Sequence, residues 1–142
     1  MATAEIPRTF LLEVVTPHRL VVSEEAEEVI APGAEGYFGV LGGHLPFMTT
    51  LKFGELTYRR ARGEERHLAV SWGYAEILPT RVTVLAEAAE RAEEIDTARA
   101  EQARDRAVAR LGKIGDSTVD FVRAQEAVTR ALTRLEVAAK KR

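Results

Sequence analysis

The chain has 142 residues, enough for one domain or two small ones, and its 46% hydrophobic and 30% charged residues are those of a globular protein. A net charge of −2 excludes nucleic-acid binding driven by bulk basicity, and the absence of cysteine excludes disulfides and thiolate metal sites and fits a reducing compartment. The start, Met1 to Pro7, has neither the basic nor the apolar region of a secretory signal, and no apolar run reaches the roughly 20 residues that span a bilayer, so any membrane role is expected to run through partners.

Composition changes near Leu85. All five prolines, eight of the ten glycines and every Tyr and Trp lie before it, and the chain beyond is rich in Ala, Glu and Arg. This predicts a β-sandwich at residues 1–88 and a helical part at 89–142. Thr9 to Thr16 is strongly β-forming; Pro17-His18 turns the chain, and Arg19 to Ser23 returns. The acidic run Ser23 to Glu28 reads as a solvated connection leading into a third strand, Ala26 to Ala31. Tyr37 to Leu41 and Phe47 to Leu51 flank a Gly42-Gly43 corner. Glu55 to Arg60 and Arg66 to Trp72 form a hairpin around Gly63, the return strand showing Leu68, Val70 and Trp72 on one face. Tyr74 to Leu78 and Arg81 to Leu85 make a last pair around Pro79-Thr80. Strands at this spacing predict an all-β sandwich or flattened barrel of about ten strands, mainly antiparallel.

Asp96 is the expected N-cap of a helix to about Leu111 with a stripe of Ile95, Ala98 or Gln102, Ala103, Ala107 and Leu111; Gly112 and Gly115 end it. Ser117 with Asp120 resembles a capping box for a second helix to about Ala139, with Phe121, Ala124, Val128, Ala131, Leu132, Leu135 and Ala138 on one face. The two form an antiparallel αα-hairpin. Its seam is mostly alanine, which buries little area at about 25 cal/mol per Å², so the hairpin must dock on something and is expected to change partners readily.

No catalytic constellation emerges. His18, His44 and His67 lack metal-ligand spacing, and Ser71 lies in Val-Ser-Trp-Gly, which is no nucleophile elbow. The glycines from Gly36 to Gly54 are not followed by Gly-Lys-Ser/Thr or by a helix, which excludes a phosphate loop. Arg123, Arg130 and Arg134, with the tail Lys140-Lys141-Arg142, make the second helix locally basic, either a solubilising face or a strip for an acidic protein or a polyphosphate. Asp96 and Arg99 share a helical turn and read as a cap with a local ion pair.

Several motifs carry a resemblance. Glu35-Gly36, Phe38-Gly39-Val40-Leu41, Gly43-His44 and Pro46, followed by Thr50-Leu51-Lys52 and Gly54, resemble the signature of the epsilon subunits of bacterial F-type ATP synthases, with Gly42 where the family usually has proline. Gly73 to Pro79, Arg81 to Glu87 and Ala89 to Asp96 extend the likeness in order along the chain. The resemblance implies a non-catalytic central-stalk subunit with no required cofactor or metal. Its partners would be the gamma subunit and the c-subunit ring, with beta and alpha meeting the C-terminal helices. It would sit peripherally on the cytoplasmic face of the bacterial plasma membrane. It would couple proton-driven rotation to ATP synthesis and restrain ATP hydrolysis through the hairpin. Phe38, Leu41, His44, Pro46, Arg123, Arg130 and Arg134 would then face partners. The family's ATP-binding motif is matched by Ile95, Asp96, Arg99 and Ala100, with Glu90 and Arg106 at its flanking positions and Arg130 and Arg134 at the spacing of its second-helix arginines but about one residue out of step, which implies ATP as a regulatory ligand. The competing readings are a free-standing ATP sensor with the hairpin as clamp, and a metal enzyme using the three histidines.

Overall fold

A computed structural model describes residues 5–113 and 115–141. Residues 1–4, most of the segment inspected for a signal, and Arg142 of the basic tail lie outside these residues. Nine strands form one sheet: β1 Phe10–Val15, β2 Leu20–Gly33, β3 Gly36–Leu41, β4 Phe47–Leu51, β5 Gly54–Arg60, β6 Glu65–Val70, β7 Gly73–Leu78, β8 Arg81–Ala86 and β9 Ala89–Arg91. A 3-10 turn, Ala92–Glu94, leads into helices α1, Thr97–Leu111, and α2, Phe121–Ala138. The path β1-β8-β7-β4-β2-β5-β6-β9 closes through an additional β1–β2 pairing, and among the described residues only β1–β8 is parallel. The expected sandwich followed by a helical hairpin is the observed fold. Its core is the inward set Leu12, Val14, Val22, Val29, Leu56, Leu68, Val70, Ile77, Val82 and Val84, each at most 1% exposed.

The closure depends on β2, which departs from expectation. Instead of two strands joined by an acidic connection, it is one 14-residue strand. Ala26 pairs with both Phe10 of β1 and Arg60 of β5, so β2 is shared by the two layers. The acidic run survives inside a strand because β5 supplies its counter-charges. Arg59 pairs with Glu27 and Glu28 at 3.2 and 3.3 Å, and the Tyr58 hydroxyl donates to Glu24 at 2.7 Å. Register slips between Ala26 and Glu28. The extra residue, Glu27, moves the inward phase from Val22 and Ala26 to Val29 and Ala31, so that both halves of the strand face the core.

Two further expectations change. Trp72 does not continue the inward face of β6, since the strand ends at Val70 and the chain turns. Ser71 anchors that turn, its Oγ accepting from the Ala88 amide at 2.7 Å, while Trp72 stays half-exposed beside Phe53, ring centroids 6.4 Å apart. The cap of α2 is Asp120, whose carboxylate accepts from the Arg123 amide at 3.1 Å. Ser117 lies in the preceding turn, because an Asp at the cap position itself needs no partner three residues earlier. The Gly42 corner leaves no room for a side chain: a Cβ there would stand 2.4 Å from the Pro7 carbonyl oxygen.

The helices meet through Ala100, Ala107, Ala124 and Ala131, all buried, whereas Ala98 and Gln102 face outward. Docking on the sandwich runs through the last turns of α2. Val137 and Ala138, a pair in which only Ala138 was anticipated, pack against Ala69, Ala92 and Ile95. Two ion pairs flank this small apolar plug, Arg134 with Glu90 at 2.8 Å and Lys140 with Glu55 at 2.8 Å. Charge favours the arrangement: from Thr97 onward the chain has eleven Lys and Arg against six Asp and Glu, and before it nine against sixteen.

Burial would raise the carboxyl of Glu55, but hydrogen bonds from Lys140 and His67 outweigh it and hold the group below its ordinary value of 4.5. A carboxylate depressed on docking contributes fully above that ordinary value, and its contribution disappears as pH falls through the lowered one. Hydrogen exchange of the α2 amides, corrected for intrinsic rate, is therefore expected to be flat above about pH 5 and to rise on acidification. In Glu55→Gln the acid-side rise is expected to flatten, and an unchanged profile in that variant would remove Glu55 from the account.

Candidate functional site

The junction between hairpin and sandwich encloses a cleft of about 510 Å³, a volume within the small-molecule range. Its floor comes from the exit of the sheet, where Glu90 in β9 and Glu94 in the 3-10 turn present carboxylates. One wall is α1. Asp96 caps that helix, accepting from the Arg99 amide at 3.0 Å. Arg99, Ala103 and Arg106 then recur at intervals of four and three and line one helical face toward the cleft. Ile95 and Ala100 are buried behind them, and Ala100 lets the wall approach α2 closely. Arg134 enters from α2 on the opposite side.

The charges are distributed asymmetrically. Each carboxylate is already engaged: Glu90 by Arg134, Glu94 by Arg19 through bonds of 3.0 and 2.6 Å, and Asp96 by its own helix end. The Arg19 hydrogen bonds hold the Glu94 carboxyl below the ordinary range against a smaller opposing effect of burial. Among the described residues neither Arg99 nor Arg106 has a carboxylate within ion-pair distance. The cleft therefore offers two uncommitted guanidinium groups on one helical face and a third that a ligand could take from Glu90. Guanidinium forks on a semi-enclosed surface match phosphate oxygens. The expected local Asp96–Arg99 ion pair is instead a cap-to-backbone bond, which leaves the Arg99 head free.

Of the residues singled out from sequence as nucleotide ligands, Glu90, Ile95, Asp96, Arg99, Ala100, Arg106 and Arg134 line this cleft. Arg130 does not. It points to a separate groove with Lys52, Phe53, Trp72 and Thr129, and its Nη1 lies 3.9 Å from Glu126. A step of four residues along α2 keeps Arg130 and Arg134 neighbours, but the sandwich edge at Phe53 divides them. The Arg134 guanidinium sits 5.8 Å from the Phe53 ring centroid. Sequence reading missed Glu94 and Ala103. Ala103 could have been found from its position four residues after Arg99, and Glu94 only through its pairing with Arg19, 75 residues away.

Four of the residues expected at a partner surface lie in β3 and the loop to β4. Phe38 packs on the core and meets Phe47 edge-on at 5.9 Å. Leu41, His44 and Pro46 occupy the end of β3 and the loop to β4, and the His44 ring Nδ1 is 2.6 Å from the Leu45 carbonyl. Leu45 and Met48, 79% and 63% exposed, extend the apolar patch beyond the residues anticipated. Arg123 is exposed near the start of α2. The three histidines occupy different places, a turn, this loop and β6, and among the described residues no group of His, Asp and Glu is disposed to hold a metal.

The family model for the β-sandwich domain of ATP synthase delta/epsilon chains matches residues 9–92, and that for their long alpha-helix domain matches residues 93–139. The chain belongs to the ATP synthase delta/epsilon family. Within this family it is similar to the ATP synthase epsilon chain of Desulforapulum autotrophicum, with 53% identity over 126 residues, 89% of this chain and 93% of that one. The epsilon chain of Geobacter sulfurreducens is 49% identical over 129 residues, 91% of this chain and 93% of the relative. A chain in the OSCP/F1/c-ring structure of the Euglena gracilis mitochondrial ATP synthase shares the fold, with TM-score 0.80 and 24% identity over 97% of this chain and 86% of that chain. A chain in the central stalk/c-ring structure of the Tetrahymena thermophila enzyme matches at TM-score 0.51 and 11% identity, over 96% and 98%. Like the delta/epsilon chains it resembles, this is a non-catalytic subunit. No helix among the described residues is long and apolar enough to cross a membrane.

Proposed function

We propose that the chain is a central-stalk subunit that couples rotation of a c-subunit ring to ATP synthesis, and that its hairpin restrains ATP hydrolysis when it leaves the sandwich. ATP in the cleft then favours the docked hairpin by mass action. The observation that carries this reading is the position of the cleft. It lies between α1, α2 and the exit of the sheet, so a ligand touching Arg99, Arg106 and Arg134 bridges the parts that must separate. Family membership and the c-ring assemblies of the structural neighbours support the stalk role. The exposed apolar patch from Leu41 to Met48 suits docking on the c ring or gamma, and the exposed Arg123 with Arg130 suits an acidic surface of beta or alpha. The site of action is the cytoplasmic face of a bacterial membrane, consistent with the bacterial sources of the relatives.

The test is ATP hydrolysis by the reassembled catalytic complex, with the full chain and with a chain ending at Asp96, across a range of ATP concentrations. Ending there keeps β9 and its pairing to β6. Truncation is expected to raise hydrolysis most at low ATP. Equal rates at every ATP concentration would remove the brake and leave coupling to the sandwich alone. A free-standing sensor, the second reading, would fail to co-purify with gamma.

A further inference from the structure

We infer that Glu55 on β5 is the receptor of a C-terminal latch that sets how often the hairpin leaves the sandwich, at a place separate from the nucleotide cleft. The inference rests on the reading of the hairpin as a movable element. Lys140, just beyond the end of α2, brings its ammonium within 2.9 and 2.8 Å of the two Glu55 oxygens, across 85 residues of sequence. The receptor is also held from within the sheet. The His67 Nδ1 stands 2.8 Å from Glu55 Oε1, and the Thr57 hydroxyl donates to the same oxygen at 3.2 Å. Both belong to the sheet and not to the hairpin, so they fix the carboxylate's position from the β5–β6 side, and with Lys140 docked the Glu55 side chain is 16% exposed. Pre-aligned acceptors lose less entropy on pairing than two free surface chains.

The latch matters because the apolar plug it guards is small. Val137 and Ala138 meet two alanines and Ile95, which leaves the polar contacts to decide the docking equilibrium. The Arg134–Glu90 pair belongs to the cleft and is available to a phosphate ligand. The Lys140–Glu55 pair is not among the cleft residues, so it holds the end of α2 whether or not the cleft is filled. Undocking then requires both contacts to break, and a ligand acts on only one of them.

Hydrogen exchange of the full chain, read at residues 131–139 and 92–95, tests this with Lys140→Ala, Glu55→Gln, the double variant and the exchange Glu55→Lys with Lys140→Glu. Each single variant is expected to speed exchange there by roughly fivefold, the double no further, with β1 and β8 unaffected. Lys140 lies outside the sheet, so its variant speaks even if Glu55 changes disturb β5. Exchange at the wild-type rate in Lys140→Ala, or additive effects in the double variant, would overturn the latch. The wider reading fails differently: if Lys140→Ala speeds undocking while hydrolysis by the reassembled complex stays unchanged, the latch stands and the brake does not.

Discussion

Arg134→Ala is expected to weaken ATP binding by the isolated full-length chain by a factor of about ten to a hundred. The guanidinium does two things at once. It neutralises Glu90 at 2.8 Å, and it rests over the Phe53 ring at the sandwich edge. Its removal takes away one phosphate donor, worth on the order of 1.5–3 kcal/mol for a charge-assisted bond, and leaves the Glu90 carboxylate unpaired in the cleft that would receive a polyanion. Glu90→Gln in the Arg134→Ala background should recover part of the loss by removing that repulsion. Arg99→Ala supplies the contrast. Its head has no protein partner among the described residues, so it should lower affinity by about tenfold while leaving hairpin exchange in the absence of ATP unchanged. Titration calorimetry with ATP reads all three variants. Wild-type affinity in Arg99→Ala would remove the cleft from the nucleotide reading, whatever Arg134→Ala does.

The second large effect lies in the sandwich. At Gly73 a Cβ would stand 1.8 Å from the Leu85 carbonyl oxygen and 2.9 Å from the Ala86 Cα, where β7 pairs with β8. Both obstacles are backbone, so relief requires the strands to separate where β8 also carries the parallel pairing to β1. Gly73→Ala is expected to cost about 3–5 kcal/mol or to prevent folding. Gly63→Ala is the control. Its φ of +87° makes alanine unfavourable, but nothing crowds the position, and about 1 kcal/mol is expected. Denaturant midpoints compare the two, and equal small losses would show that the β7–β8 contact yields readily.

These two predictions stand on different kinds of information. The cleft was partly legible before the fold because its α1 wall is local: a cap at Asp96 and arginines at helical spacing have to share a face once the segment is helical. Arg106 entered only through the family resemblance, and its distance of seven residues from Arg99 then puts both on that face. The α2 side of the cleft was not legible in the same way. Arg130 and Arg134 are one turn apart and chemically identical, and only the sandwich edge at Phe53 sends one to the cleft and the other to a neighbouring groove. The Glu94–Arg19 and Glu55–Lys140 pairs join residues 75 and 85 positions apart, beyond the reach of any local pattern.

The two-part architecture, the composition boundary near Leu85, most strand positions and the helix cap at Asp96 could be read from the residues alone, because alternation, turn residues and helix propensity act over a few neighbouring residues. Long-range packing made the acidic run Ser23 to Glu28 continue as one strand, since the arginines that neutralise it come from β5 and the bulge at Glu27 answers to the core. It also decided that Trp72 faces outward and that α2 docks by its last turns. An alanine seam has no strong preference of its own, so where the hairpin rests was settled by which charged and small residues the sheet happened to bring within reach.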